Sequence, residues 1–230
     1  MIVVLIPVFN DWPAAARLLI ELDRALDSAG RDAHVLLIDD GSSESSDEAL
    51  APPSPSRLRQ IDILHLRHNV GHQRAIAIGL SHIEAQIPCE ALVVMDSDGE
   101  DRPEDVPRLL AELDRHGGRR IIFAERLRRS EGLVFATMYA LYRALHVLLT
   151  GERVRFGNFS AIPGPLASRL VAMSDLWNHY AAAVIKSRMP YATIVTTRGP
   201  RYCGVTKMNY VALVTHGLSA MSVLDRKSVV

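Results

Sequence analysis

The sequence predicts an α/β fold, a mostly parallel sheet with helices on both faces, and three observations predict it. Short β-branched or leucine-rich runs alternate with helically spaced apolar segments through the first half of the chain. The first four strand runs each end in polar or turn-forming residues, where a parallel sheet delivers its loops to one edge. Finally, 230 residues at 48% apolar composition can bury a full core.

The elements follow in chain order. The opening Met1-Ile2-Val3-Val4-Leu5-Ile6-Pro7 lacks the basic start and long apolar stretch of a secretion signal, so it reads as a buried strand at 2–8. Residues 13–28 carry apolar positions at helical spacing and lead into a strand at 34–39. Three prolines in 51–57 remove donors and fix the backbone, which predicts an exposed connection there. A strand at 61–66, a helix at 72–86, a strand at 91–96, a helix at 104–115 and a strand at 120–124 complete the alternation. In the second half, strand signals weaken among glycine and proline.

Lys plus Arg and Asp plus Glu number 26 each, so the overall balance attracts neither nucleic acid nor an anionic membrane. Cys89 and Cys203 form neither a metal-ligand spacing nor a disulfide framework, which fits a reducing, cytoplasmic setting. The most lipid-like stretch, 133–149, is shorter than the roughly 20 residues of a span and carries Arg143 and His146. Its Leu133, Met138, Leu141, Leu145 and Leu148 recur near helical spacing, which suits a helix packed on the core or one lying on a membrane surface.

Chemistry concentrates at the strand ends. Asp96, Asp98 and Glu100 follow the apolar run Ala91-Leu92-Val93-Val94-Met95, and three such carboxylates repel unless a cation compensates them. A hard divalent ion, Mg²⁺ or Mn²⁺, that also grips a diphosphate is one reading. The other is a solvated acidic turn capping the helix that begins near Pro103. Asp39 and Asp40 precede Gly41-Ser42-Ser43, which suits a tight turn, a carboxylate that accepts hydrogen bonds from a ribose or base, or both. His68 and His72 read as loop residues with room for a polar contact.

Four stretches, in order and spacing, resemble family 2 glycosyltransferases of the GT-A fold: Ile-Pro-Val-Phe-Asn-Asp at 6–11, Ile-Asp-Asp-Gly-Ser-Ser at 38–43, Asn-Val-Gly-His-Gln at 69–73 and Met-Asp-Ser-Asp-Gly-Glu-Asp-Arg-Pro-Glu at 95–104. With Arg201-Tyr202-Cys203-Gly204-Val205-Thr206-Lys207, they are most similar to polyprenyl-phosphate sugar transferases. Asp11 stands where the family usually has Glu, and Glu100 where the lipid-phosphate enzymes usually have Gln. The resemblance implies a single domain over 1–230, with a nucleotide-sugar-binding part at 1–129 and a smaller acceptor-side region at 130–230. It implies that Pro7, Val8, Phe9, Asp11 and Asp39 or Asp40 hold the nucleoside, and that Asp96, Asp98 and Glu100 hold the metal. Arg126, Arg129, Arg201 and Lys207 would face phosphate groups. Many such enzymes continue into membrane helices, so the expectation at Val230 is either a soluble member or a truncated piece, cytoplasmic and peripheral at the inner membrane face.

Asp98 and Asp175 are the catalytic candidates. A metal would neutralise charge developing on the nucleoside diphosphate. A hydroxyl acceptor would need a base, for which Asp175 is the only nearby acid, whereas a phosphate acceptor needs orientation by cations. The arginines favour the phosphate, carried on a polyprenyl lipid. Rival readings are a nucleotidyltransferase and a non-catalytic nucleotide-binding module, and a homo-oligomer stays open.

Overall fold

The computed structural model describes residues 1–44, 50, 55–126, 156–203, 219 and 222–224. Among these, β1 (Ile2–Val8), β2 (Ala33–Asp39), β3 (Leu58–His65), β4 (Ala91–Val94), β5 (Ile121–Arg126), β6 (Ser160–Pro163) and β7 (Tyr191–Thr196) form one sheet in the order β3-β2-β1-β4-β6-β5-β7. β6 runs antiparallel to both β4 and β5, and every other pairing is parallel.

Helices cover both faces, as the sequence predicts. Side chains alternate along a strand, so a strand buried on both faces reads as an unbroken apolar run, and β1 is such a strand. Its Val4 and Ile6 pack against Leu18, Leu19 and Leu22 of α1 (Trp12–Ser28) and Leu109 and Leu113 of α3 (Val106–Arg115). Its Val3 and Leu5 face Ile76, Leu80 and Ile83 of α2 (His72–Gln86), with Leu170 of α4 (Gly164–Val171) and Tyr180 and Val184 of α5 (Tyr180–Lys186) in the same cluster. Loss of one of these fully buried leucines to alanine would cost about 2–5 kcal/mol.

The expected helix at 72–86 coincides with α2, and that at 104–115 divides into a 3-10 turn at Pro103–Asp105 followed by α3. The fourth strand is shorter than expected: β4 stops at Val94, and Asp96 lies in the turn beyond it. β6 and β7 were missed, because β6 has only four residues and β7 is an edge strand with Tyr191 and Val195 exposed. The stretch at 133–149 lies outside the described residues, among which no helix is long and apolar enough to cross a membrane.

β3 begins at Leu58, three residues before the expected start, because Asp23 of α1 fixes its entry. The Asp23 carboxylate accepts hydrogen bonds from the backbone N–H of Ser56 (3.0 Å), Arg57 (2.8 Å) and Leu58 (2.9 Å) and from the Ser56 hydroxyl (3.1 Å). Burial works against this charge, but the four donors outweigh it and hold its pKa below the ordinary carboxylate value. Asp23→Ala should lower stability by about 1–3 kcal/mol, since the buried Leu58 N–H and the part-buried bonds from Ser56 and Arg57 lose a charged acceptor. A depressed folded pKa contributes stability that is present above the unfolded value of about 4 and lost as pH falls through the folded pKa. The gap between parent and variant in urea denaturation should therefore be full at pH 7 and shrink below about pH 4.

Candidate active site

The carboxyl ends of β1, β2 and β4 meet at one edge of the sheet, and the residues expected at 7–11, 39–40 and 96–100 follow those strand ends. At β1, Pro7 and Val8 are buried, and the Val8 carbonyl accepts the Asp40 N–H at 2.8 Å. Both side chains are buried, that of Val8 in the apolar cluster beneath α1, so it is Phe9 beyond them that is exposed at this strand end. Phe9 is 40% exposed at the rim. Asn10 takes φ 48°, a left-handed conformation that asparagine tolerates, and its side-chain oxygen accepts N–H groups from Ser43 (2.8 Å) and Glu44 (3.2 Å). The loops after β1 and β2 are thereby tied together.

Asp39 and Asp40 point to different partners, as successive residues leaving a strand must. Asp39 accepts the Ser42 N–H at 2.9 Å and contacts His65 Nδ1 at 2.8 Å. Burial raises its pKa, but the contacts with Ser42 and His65 prevail and hold it below the ordinary value. Asp40 turns the other way and accepts N–H groups from Val70 (2.7 Å) and Gly71 (3.0 Å), while burial pushes its pKa up. Asp40 thus ties down the loop before α2. Asp39, beside the exposed His65, is the one placed at the rim.

The acidic turn after β4 is ordered from within. Asp98 Oδ1 accepts the Glu100 N–H (2.9 Å), and Asp101, 2% exposed, accepts the Asp96 N–H (3.0 Å). Burial and then the Asp96 charge push the Asp101 pKa up to about 7, and Arg126, which donates to it at 2.6 Å, works the other way. Burial, with Asp96 and Glu100 adding repulsion, also raises the Asp98 pKa.

A strap at Arg198–Cys203 crosses this turn. The Gly199 N–H donates to the Glu100 carbonyl (2.9 Å) and the Tyr202 N–H to the Asp98 carbonyl (2.9 Å). Gly99, at φ +85°, lies against the Tyr202 ring, which a Cβ there would meet at 2.6 Å, and Arg17 covers the ring at 4.5 Å. From the strap, Arg201 donates to Asp98 Oδ2 (2.9 Å) and Asp11 Oδ2 (2.8 Å), and Arg198 donates to Glu100. Arg126 Nη1 also lies 3.8 Å from Glu100.

Arg126 and Arg201 both lie against the acidic turn, each held by carboxylates: Arg126 by Asp101, and Arg201 by Asp98 and Asp11. Arg129 and Lys207 lie outside the described residues. Asp175 sits in the Ser174–Trp177 turn, 3.1 Å from Lys186 of α5, and among the described residues no hydrogen bond or ion pair joins it to the acidic turn. The residue underweighted from sequence is His72. It lies 3.2 Å from Asp96 and 2.9 Å from the Asn158 amide; burial opposes its charge, but Asp96, then Asp101 and Asp40, raise its pKa. Its place at the first position of α2 was legible, but the approach of that helix to the β4 turn was not.

Among the described residues, no three acidic, histidine or cysteine side chains are arranged to hold a metal ion by themselves. Glu100 is engaged by Arg198 and Arg126, and Asp98 by Arg201, so a metal would share these carboxylates with the arginines or displace them. The donor set fits a metal of the kind that keeps one or two protein carboxylates and takes its other ligands from a diphosphate and water. Asp96 and Asp98, the first and third residues of the turn, are the carboxylates that would supply those ligands, and burial together with the Asp96 and Glu100 charges raises the Asp98 pKa.

The mostly parallel sheet, with an acidic turn at its carboxyl edge and arginines gathered on that turn, is the arrangement to compare with solved GT-A glycosyltransferases. Glucosyl-3-phosphoglycerate synthase from Mycobacterium tuberculosis, solved with Mn²⁺, UDP-glucose and phosphoglyceric acid, shares the fold at a TM-score of 0.67 and 18% identity, over 97% of this chain and 78% of that one. Mannosyl-3-phosphoglycerate synthase from Rubrobacter xylanophilus does so at 0.65 and 13%, over 97% and 72%. S. aureus TarS superposes at 0.52 and 12%, over 86% and 36%. The family model described as "Glycosyl transferase family 2" matches residues 3–169, and the chain belongs to that family.

Proposed function

We propose that the protein moves a sugar from a nucleoside-diphosphate sugar, with a divalent cation, to an acceptor that carries a phosphate. The observation that carries this reading is the turn Asp96–Asp101, where acidic groups with raised pKa stand beside Arg201, Arg198 and Arg126. Phe9, Asp11 and Asp39 along the same edge supply the nucleoside side. Asp96 and Asp98 would hold Mg²⁺ or Mn²⁺, which when bound stabilises charge on the departing diphosphate. The Mn²⁺ and UDP-glucose complex of the mycobacterial synthase supports the cofactor and donor class.

For the acceptor, the basic groups support a phosphate, and two sources share that chemistry: a polyprenyl phosphate and a small phosphorylated acid such as the phosphoglyceric acid bound by the mycobacterial synthase. The engagement of Asp175 by Lys186, remote from the turn in its contacts, disfavours it as a hydroxyl-activating base. A panel of nucleotide-sugars with Mn²⁺ or with chelator, each offered a short polyprenyl phosphate, 3-phosphoglycerate or an unphosphorylated sugar, tests all parts. Nucleoside-diphosphate release that needs Mn²⁺ and rises only with a phosphorylated acceptor is the expected result, and the responding acceptor names the source. Transfer to the unphosphorylated sugar alone, lost in Asp175→Asn, would replace this reading with a hydroxyl acceptor.

A further inference from the structure

All three guanidinium positions of Arg201 are in use. Nη1 donates to Asp98 Oδ2 at 2.9 Å, Nη2 to Asp11 Oδ2 at 2.8 Å and Nε to the Cys203 carbonyl at 3.0 Å, and the side chain is only 20% exposed. The cation therefore joins the carboxylate that would hold the metal to a carboxylate on the nucleoside side of the edge. A metal on Asp98 Oδ2 and a guanidinium donating to the same oxygen would set two positive charges within about 4 Å of each other, so each weakens the hold of the other. The strap itself need not move: its backbone is held on the turn through Gly199 and Tyr202, and Tyr202 is wedged between Gly99 and Arg17. Only the Arg201 side chain has to turn.

Building on the metal and nucleotide reading above, we propose that Arg201 is a resident counter-cation, which occupies Asp98 and Asp11 until a metal-nucleotide complex displaces it and then transfers its hydrogen bonds to the incoming diphosphate. Metal alone meets a carboxylate already neutralised and gains little. Metal with a diphosphate gives the displaced guanidinium a new bidentate partner, so the two ligands bind as a coupled pair. Asp11 serves as the second anchor that keeps Arg201 in place in the ligand-free protein.

The exchange has a signature of opposite signs in one variant. In Arg201→Gln, Mn²⁺ binding to the nucleotide-free protein, read by loss of the free-ion electron paramagnetic resonance signal, should tighten by about fivefold or more, the lower end of ordinary coupling between sites. Calorimetric affinity for UDP in saturating Mn²⁺ should fall by a similar factor in the same variant. Arg201→Lys, which keeps the charge but loses the fork, should leave metal affinity nearer the parent and still bind UDP poorly. Weakening of both ligands in Arg201→Gln would make Arg201 a structural tie and overturn the exchange. Unchanged Mn²⁺ affinity with weaker UDP would make it a plain diphosphate contact and overturn it equally. If the parent itself binds neither Mn²⁺ nor UDP, nor the diphosphates of the other nucleosides, the metal and nucleotide reading falls and the exchange with it; a parent that binds them leaves that reading standing whatever Arg201 does.

Discussion

Asp98→Asn should lower nucleoside-diphosphate affinity in Mn²⁺ to the level measured in chelator, and sugar transfer by about 10²–10³-fold, the usual loss when one preorganised electrostatic group is removed. The substitution keeps the shape and the acceptor oxygen that receives the Glu100 N–H at 2.9 Å, but it removes the charge that faces Arg201. The variant also leaves the Arg201 guanidinium without its partner at 2.9 Å, so its thermal midpoint is measured beside the affinity and the comparison is made at a temperature where both proteins are folded. Calorimetry of UDP binding with Mn²⁺ and with chelator, for parent and variant, gives the result directly. Equal parent affinity under both conditions would show that no metal bridges Asp98 to the diphosphate.

The largest effect on stability should come from Gly41→Ala. Gly41 holds φ +71°, which costs an L residue about 1–2 kcal/mol. A Cβ there would also lie 2.6 Å from the Asn69 nitrogen and from the His68 carbonyl carbon, both backbone atoms that cannot rotate away. The loop at 68–71 would have to retreat, yet Asp40 holds it close through Val70 and Gly71. Adding about 1–3 kcal/mol for the overpacking gives a total near 2–5 kcal/mol. That corresponds to a fall in thermal midpoint of roughly 5–20 °C for a chain of this size. Gly30→Ala is the control: its φ is +62° and nothing lies within 4 Å of its Cβ, so it bears the backbone cost alone. Equal midpoints for the two variants would mean that conformation, rather than the contact between the β2 and β3 loops, is what requires glycine at 41.

By itself the sequence determined a mostly parallel sheet, the helices on its two faces and the edge where the chemistry gathers. Period-2 and period-3.6 apolar patterns are local, and a strand buried on both faces shows as an unbroken apolar run such as Ile2–Val8. The order of the four polar strand ends, with Asp96-Ser97-Asp98-Gly99-Glu100 after β4, was equally legible because each follows its strand directly. Only the tertiary structure decided which of those groups meet. Arg201 reaches Asp98 across 103 residues and Asp11 across 190, and no local pattern encodes a pairing at that separation. The same holds for Asp23 at the start of β3 and for His72 opposite Asp96. It also decided the contacts of residues whose type alone left them open: Asp40 fastens a loop, Val8 packs in the core, and Glu100 meets arginines. A carboxylate's sequence position shows where it leaves a strand, but its charge state and use depend on which buried donors and cations the fold brings within about 4 Å of it.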